Sequence, residues 1–202
     1  MIRAYFNQRA AIWDETIAKR DATKLERMAR RLSIKPGSTV LDVGAGTGVF
    51  IPFLLSEMGK KGQIVALDFA EEMLREARVK GFNGDVAYLH ADVTSIPFGE
   101  EIFDIVVCYA SFPHFQDKPR ALAEIRRVTK SGGELLICHT SSRARINRIH
   151  RQIPAVANDI IPDEDEMQIM LAKAGFTEIR IDDNNHSYLA RARKPISGPS
   201  LD

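Results

Sequence analysis

The feature that most constrains this chain is a short buried-strand pattern that runs into a glycine bend. Thr39-Val40-Leu41-Asp42-Val43 is followed at once by Gly44-Ala45-Gly46-Thr47-Gly48. A nearly continuous apolar strand belongs to a parallel sheet covered on both faces. Glycines directly after it permit positive φ and let a ligand approach the backbone without meeting a Cβ. Residues 49–58 read as the following helix, beginning near Gly48 and offering free N–H groups at its start. In open parallel sheets, ligands bind beyond the carboxyl ends of the strands, where strand order reverses. The first strand therefore predicts both a fold class and a place for a ligand.

The rest of the chain repeats the strand-then-helix alternation. Residues 63–68, 86–90, 103–109 and 134–138 read as the next four strands, with Ser131-Gly132-Gly133 as a turn before the last. Between them, Ala70, Met73, Leu74 and Ala77, and later Leu122, Ile125 and Val128, fall at helical spacing. Upstream, Leu25, Met28, Ala29 and Leu32 share a helix face, and residues 1–18 read as an amphipathic helix or lid carrying Tyr5, Phe6, Ile12, Trp13 and Ile17. Asp163 with Glu166 forms a capping-box pattern for a helix that Gly175 ends. Residues 176–182 and 186–193 are too close for a helical crossover and predict an antiparallel hairpin. Together these make an α/β sheet with helices on both faces. We expect a single domain over residues 1–194 with an N-terminal helical cover (1–35), and a disordered tail over 195–202.

Net charge is +1 from 28 basic and 27 acidic side chains, which gives no overall pull toward nucleic acid or anionic membrane. No apolar run approaches the roughly 20 residues that span a bilayer. The N-terminal residues lack the apolar core of a signal peptide, so the expected location is the cytoplasm. Cys108 and Cys138 lie in apolar strand runs and read as buried, reduced thiols rather than a disulfide framework.

Three strand ends carry chemistry. The bend Gly44-Ala45-Gly46-Thr47-Gly48 is Gly-x-Gly-x-Gly, one residue tighter than the Gly-x-Gly-x-x-Gly of nicotinamide-binding oxidoreductases. Asp68 closes the second strand 20 residues after Gly48, where a carboxylate can accept from both hydroxyls of a ribose. It can cap the next helix as well. Phe69 is placed to pack on an adenine face or in the core. Asp92 follows the third strand and can accept from an adenine amino group while the Val93 N–H reaches a ring nitrogen; a turn cap is the alternative. Three such features on successive strands point to an adenosyl cofactor far more specifically than any one of them.

At these residues the sequence resembles the class I S-adenosylmethionine (SAM)-dependent methyltransferases. Residues 40–48 look like their motif I, residues 66–74 like the acidic motif, residues 91–98 like the motif edging the adenine, and 103–109 with His114-Phe115 like the motif after the fourth strand. Residues 121–133 continue the pattern, although Ser131 stands where a proline is usual, and residues 5–14 resemble the N-terminal cover of the ubiquinone/menaquinone-biosynthesis-like branch. The resemblance implies a Rossmann-like seven-stranded sheet in the order 3-2-1-4-5-7-6, with strand 7 antiparallel. It implies that Asp42 and the backbone of residues 44–48 hold the methionine end of SAM. Tyr109 or Ala110 would offer a main-chain carbonyl to its amino group. Residues 140–161 do not read as a quinone methyltransferase signature, so the substrate of that branch is not carried over.

The methyl of SAM is already activated, so the enzyme gains most by positioning and by excluding water, and needs a base only for a protonated acceptor. His114 and His139 are the candidates on the acceptor side. His114 reads as a base, a hydrogen-bond donor or a packing residue; His139 closes the fifth strand and is expected to face the same cleft. Residues 140–162 form an expected acceptor-side insertion, in which Arg143, Arg145, Arg148 and Arg151 offer an anion dock or a solvated face. His139, His150 and Asp159 are metal-ligand types at no metal-motif spacing, so no metal is expected. The expected partner is a small-molecule acceptor, not nucleic acid, and the expected state is a monomer or homodimer. A non-catalytic SAM-binding sensor and a nicotinamide-dependent oxidoreductase are the competing readings.

Overall fold

A computed structural model describes residues 2–16 and 21–196. Ile17 of the expected N-terminal helix and positions 197–202 of the expected tail lie outside them. Seven strands form one sheet: β1 (Thr39–Val43), β2 (Gln63–Asp68), β3 (Asp85–His90), β4 (Phe103–Tyr109), β5 (Thr129–His139), β6 (Thr177–Asn184) and β7 (Ser187–Arg193). Their order is β3-β2-β1-β4-β5-β7-β6, and β7 runs antiparallel to both of its neighbours. The helices are α1 (Ile2–Asn7), α2 (Trp13–Thr16), α3 (Ala22–Leu32), α4 (Ile51–Met58), α5 (Glu71–Val79), α6 (Lys118–Val128), α7 (Arg143–Arg151) and α8 (Glu164–Lys173).

Alternation along the central strands builds a core on each face. Leu41, Val106, Cys108, Leu135 and Ile137 join Leu122 and Ile125 of α6 and Met167 and Leu171 of α8 on one side. Val40, Ile105, Val107, Leu136 and Cys138 meet Leu25 and Met28 of α3 and Ile51 and Leu54 of α4 on the other. Strand order reverses between β1 and β4, so the carboxyl ends of those two strands open the crevice in which a ligand can lie.

Four local expectations change. Residues 131–133 are not a turn before β5. They lie within it as a bulge, and the pairing slips from Phe103 with Thr129 to Ile105 with Glu134. Gly132 reaches φ +74° there, and the bulge is latched by Gly132 N–H to Lys194 O and Lys194 N–H to Gly133 O. The helix after the glycine bend starts at Ile51, not near Gly48, with Pro52 in its first turn. The N-terminal cover is not one helix but α1, a 3-10 turn (Ala10–Ile12) and α2. Residues 143–151, silent in periodicity, are helix α7, because its buried position is Asn147 rather than an apolar residue. Asn147 donates to Ile161 O (2.9 Å) and accepts from Ile161 N–H (2.8 Å), fastening the loop before α8. The capping box is formed: Asp163 accepts from Glu166 N–H at 2.9 Å.

Candidate active site

A cavity of about 280 Å³ opens at the carboxyl ends of β1, β2 and β4. The glycine bend forms one wall because the end of β2 hooks it. Leu67 O accepts from Gly44 N–H (2.7 Å) and Ala45 N–H (3.0 Å), and Asp68 Oδ2 accepts from Gly46 N–H (2.8 Å). Two glycines are required for different reasons. Gly44 (φ +72°) passes so close to Ser111 that an added Cβ would stand 2.3 Å from its Cβ. Gly46 (φ +57°) has no atom within 4 Å of such a Cβ, so its bare backbone is open.

Two carboxylates gather behind this bend. Asp68 is 4% exposed, and its Oδ1 accepts from Ala70 N–H (2.8 Å) at the start of α5. Burial pushes its pKa up to about 6, against the pull of backbone N–H groups of Ala70, Gly46 and Phe69. Asp42 is 2% exposed, and its Oδ1 has no hydrogen-bond partner. Burial and the neighbouring Asp68 charge push Asp42 up to about 7. A buried carboxylate with an idle oxygen beside a second carboxylate suits a cationic ligand. The sulfonium and ammonium of SAM fit that donor set.

The cavity brings together most of the candidates. Gly44, Ala45, Gly46, Thr47, Asp68, Phe69, Asp92, Val93, Tyr109, Ala110 and His114 all line it. Phe69 lines the cavity and packs edge-on to Phe6 at 5.9 Å. Asp92 also caps a turn, its Oδ1 accepting from Thr94 N–H and Oγ1. Asp42 and Gly48 stand outside the lining: Asp42 is buried in the strand, and Gly48 packs toward the Phe82 ring.

His139 is a correction. The alternation of β5 turns it away from Cys138 and its neighbours and into the opposite face. There it is 2% exposed with its ring 6.4 Å from that of Tyr188, and it does not line the cavity. The α7 arginines stay outside as well: Arg143 pairs with Asp183, while Arg145, Arg148 and Arg151 are exposed.

Phe6 and Trp13 of the cover line the cavity, whereas Tyr5 does not. Other features escaped the sequence. Asp14 fastens this cover, accepting from Thr47 Oγ1 at 2.5 Å and pairing with Lys80, which also donates to Thr47 O. Ala110 adopts φ +54°, a conformation unusual outside glycine, at the lip of β4. Asp159, weighed only as a metal ligand, instead meets His114: Nδ1 and Oδ2 are 2.8 Å apart. Among the described residues no group of three or more His, Cys, Asp or Glu is arranged for a metal ion.

A doubly covered sheet in this order, with its ligand cleft at a glycine bend backed by acids, is that of a class I methyltransferase. The methyltransferase-domain family matches residues 41–137. Ubiquinone/menaquinone biosynthesis C-methyltransferase UbiE of Escherichia coli O1:K1 / APEC is 30% identical over 173 residues, covering 72% of this chain and 69% of that protein. Its counterpart from Teredinibacter turnerae is 37% identical over 112 residues, 54% of this chain. The chain spans about half the length of that curated relative (45%). The fold is shared with a chain of the Haloferax volcanii complex between the Trm112 methyltransferase activator and a methyltransferase. There the TM-score is 0.83 and the identity 21%, over 98% of this chain and 99% of that one. A SAM-dependent methyltransferase from Aquifex aeolicus gives a TM-score of 0.74 at 24% identity, over 93% and 98% of the two chains. The chain belongs to the class I SAM-dependent methyltransferases of the ubiquinone/menaquinone-biosynthesis type.

Proposed function

We propose that this protein transfers the methyl group of SAM to a small-molecule acceptor inside the described cavity. The observation that carries this is the idle Oδ1 of buried Asp42 behind the bare backbone of residues 44–46. In this reading that end of the cavity holds the amino-acid part of SAM, with the Tyr109 or Ala110 carbonyl accepting from its ammonium. Asp68 grips the ribose with the lone pairs that Gly46 and Ala70 leave, while Asp92, Val93 and Phe69 border the adenine. SAM supplies the activated methyl. The chain orients the partners, and Phe6 and Trp13 exclude water. The acceptor lies on the side of His114. A concave cavity at the strand ends favours a metabolite over nucleic acid or protein as the acceptor. The buried, unpaired Cys108 and Cys138 suit the reducing cytoplasm. We expect a monomer or homodimer.

Calorimetry with SAM and S-adenosylhomocysteine tests the cofactor half. Asp68→Ala should weaken both by about 10- to 100-fold, the range for a hydrogen bond to a charged group, and leave the far-UV spectrum unchanged. Unaltered affinity in that variant rejects the ribose assignment. Label transfer from methyl-labelled SAM into a metabolite extract separates an enzyme from a sensor.

A further inference from the structure

We infer that His114 and Asp159 act as a pair, with His114 the base that takes the acceptor's proton and Asp159 the residue that positions it. The acceptor is therefore one whose reacting atom carries a proton to be lost: a phenol or other hydroxyl, or an activated carbon acid. This rests on the methyl-transfer reading above.

An ionised carboxylate only accepts, so a 2.8 Å contact between Asp159 Oδ2 and His114 Nδ1 places the ring proton on Nδ1. Nε2 then carries the free lone pair. His114 lines the cavity whereas Asp159 and His150 do not, so an acceptor there meets His114 and not its partner. The pair is only 14–15% exposed at its side chains, where a charge-assisted bond is not diluted by water. The groups around it keep Asp159 ionised. Burial raises its pKa, but the His114 hydrogen bond and the charges of His114, Lys118 and His150 outweigh that and hold it below the usual range.

His150 stacks 4.9 Å from His114, and Asp159 O accepts from its Nδ1. Burial lowers the pKa of His150. Lys118 is spoken for by Pro113 O and Phe115 O. Phe6 closes the remaining face of the His114 ring, 5.1 Å away. An imidazolium formed at His114 is thus matched by one carboxylate. In the step, the acceptor's proton passes to Nε2 and its freed electron pair forms the new bond to the methyl carbon. The pair of the broken carbon–sulfur bond stays on the departing thioether, and the proton later leaves Nε2 for water.

The test begins without an acceptor. In ¹⁵N-labelled full-length protein, neutral His114 should be the Nδ1–H tautomer, and Asp159→Asn, whose amide can donate as well as accept, should weaken that preference. SAM affinity should stay within twofold in Asp159→Asn and in His114→Gln. Labelled SAM is then offered to catechols, phenols and quinols, with thiols as acceptors that ionise unaided. Uptake by the hydroxyl acceptors should fall about 10²- to 10⁴-fold in His114→Gln. The acid limb of the pH–rate profile, where a base is protonated and idle, should be lost in His114→Gln. An Nε2–H tautomer, a tautomer preference unchanged in Asp159→Asn, or methylation confined to thiols overturns the pair. Loss of SAM binding in the unaltered protein instead rejects the wider reading.

Discussion

The cleft has two sides that are built differently. On the cofactor side, residues 43–47, 68–69 and 91–93 reach the cavity from strand ends, and their work is done by main chain and by strand-end carboxylates. Gly46 N–H meets Asp68, and Asp68 meets Ala70, all within the β1–α5 unit. On the acceptor side, side chains tie separate elements together: the His114 ring meets Asp159, and Asn147 meets the main chain of Ile161. The cofactor side thus depends on backbone shape, and the acceptor side on a few paired polar groups that fasten α7 and the loop after it. Substitutions should separate the two.

The largest effect should follow from Gly44→Val. Its Cβ would meet Ser111 at 2.3 Å in a left-handed backbone at φ +72°. The strained conformation alone costs about 1–3 kcal/mol, and the clash adds to it. SAM binding should become undetectable in calorimetry and the melting temperature should drop by several degrees. A variant that keeps SAM affinity within tenfold would break the claim that this side is made of backbone shape.

A pH series should give an intermediate effect, again on the cofactor side. Burial pushes Asp42 up to about 7 and Asp68 up to about 6, above the ordinary carboxylate value. For groups raised on folding, the stabilisation is complete below the unfolded value and lost as pH climbs through the folded one. The free protein should therefore lose stability from these two carboxyls between about pH 4 and 7. A cation binds the ionised pair, so SAM affinity should rise across the same interval, with protons released on binding. Thermal shifts with SAM at pH 5.5, 6.5 and 7.5 should grow in that order, and calorimetry in buffers of different ionisation enthalpy should register the protons. A flat series would mean that neither carboxylate senses the ligand's charge.

The same contrast explains what could be read from sequence. Glycines and acids at strand ends have local reasons to be there, so residues 44–47, Asp68 and Asp92 declared themselves by spacing alone. The central strands did so too: Leu41, Val106 and Ile137 alternate with residues that face the opposite core. Whether His114 has a partner depends on residue 159, and no local pattern joins positions 45 apart. His139 misled because a strand-end histidine looks the same from either face, and only the register of β5 decides that it meets Tyr188. Helix α7 was hidden because its buried residue is an asparagine, which periodicity counts as polar. Ala110 at positive φ carries no compositional signal at all.

The smallest effect on the cofactor is expected from Asn147→Ala, which tests the other side. Both amide atoms of Asn147 are engaged by the main chain of Ile161, and the residue is 4% exposed. Alanine leaves the buried Ile161 N–H and C=O without partners, at a cost of about 1–3 kcal/mol in chemical denaturation. Asp159 lies two residues before that anchor, so its contact with His114 should loosen while the glycine bend stays as it is. SAM affinity should remain within twofold and the His114 ring ¹⁵N signals should broaden or shift. If cofactor affinity fell together with the His114 signal, the two sides would have to be treated as one mechanical unit, and the division between backbone shape and side-chain pairing would fail.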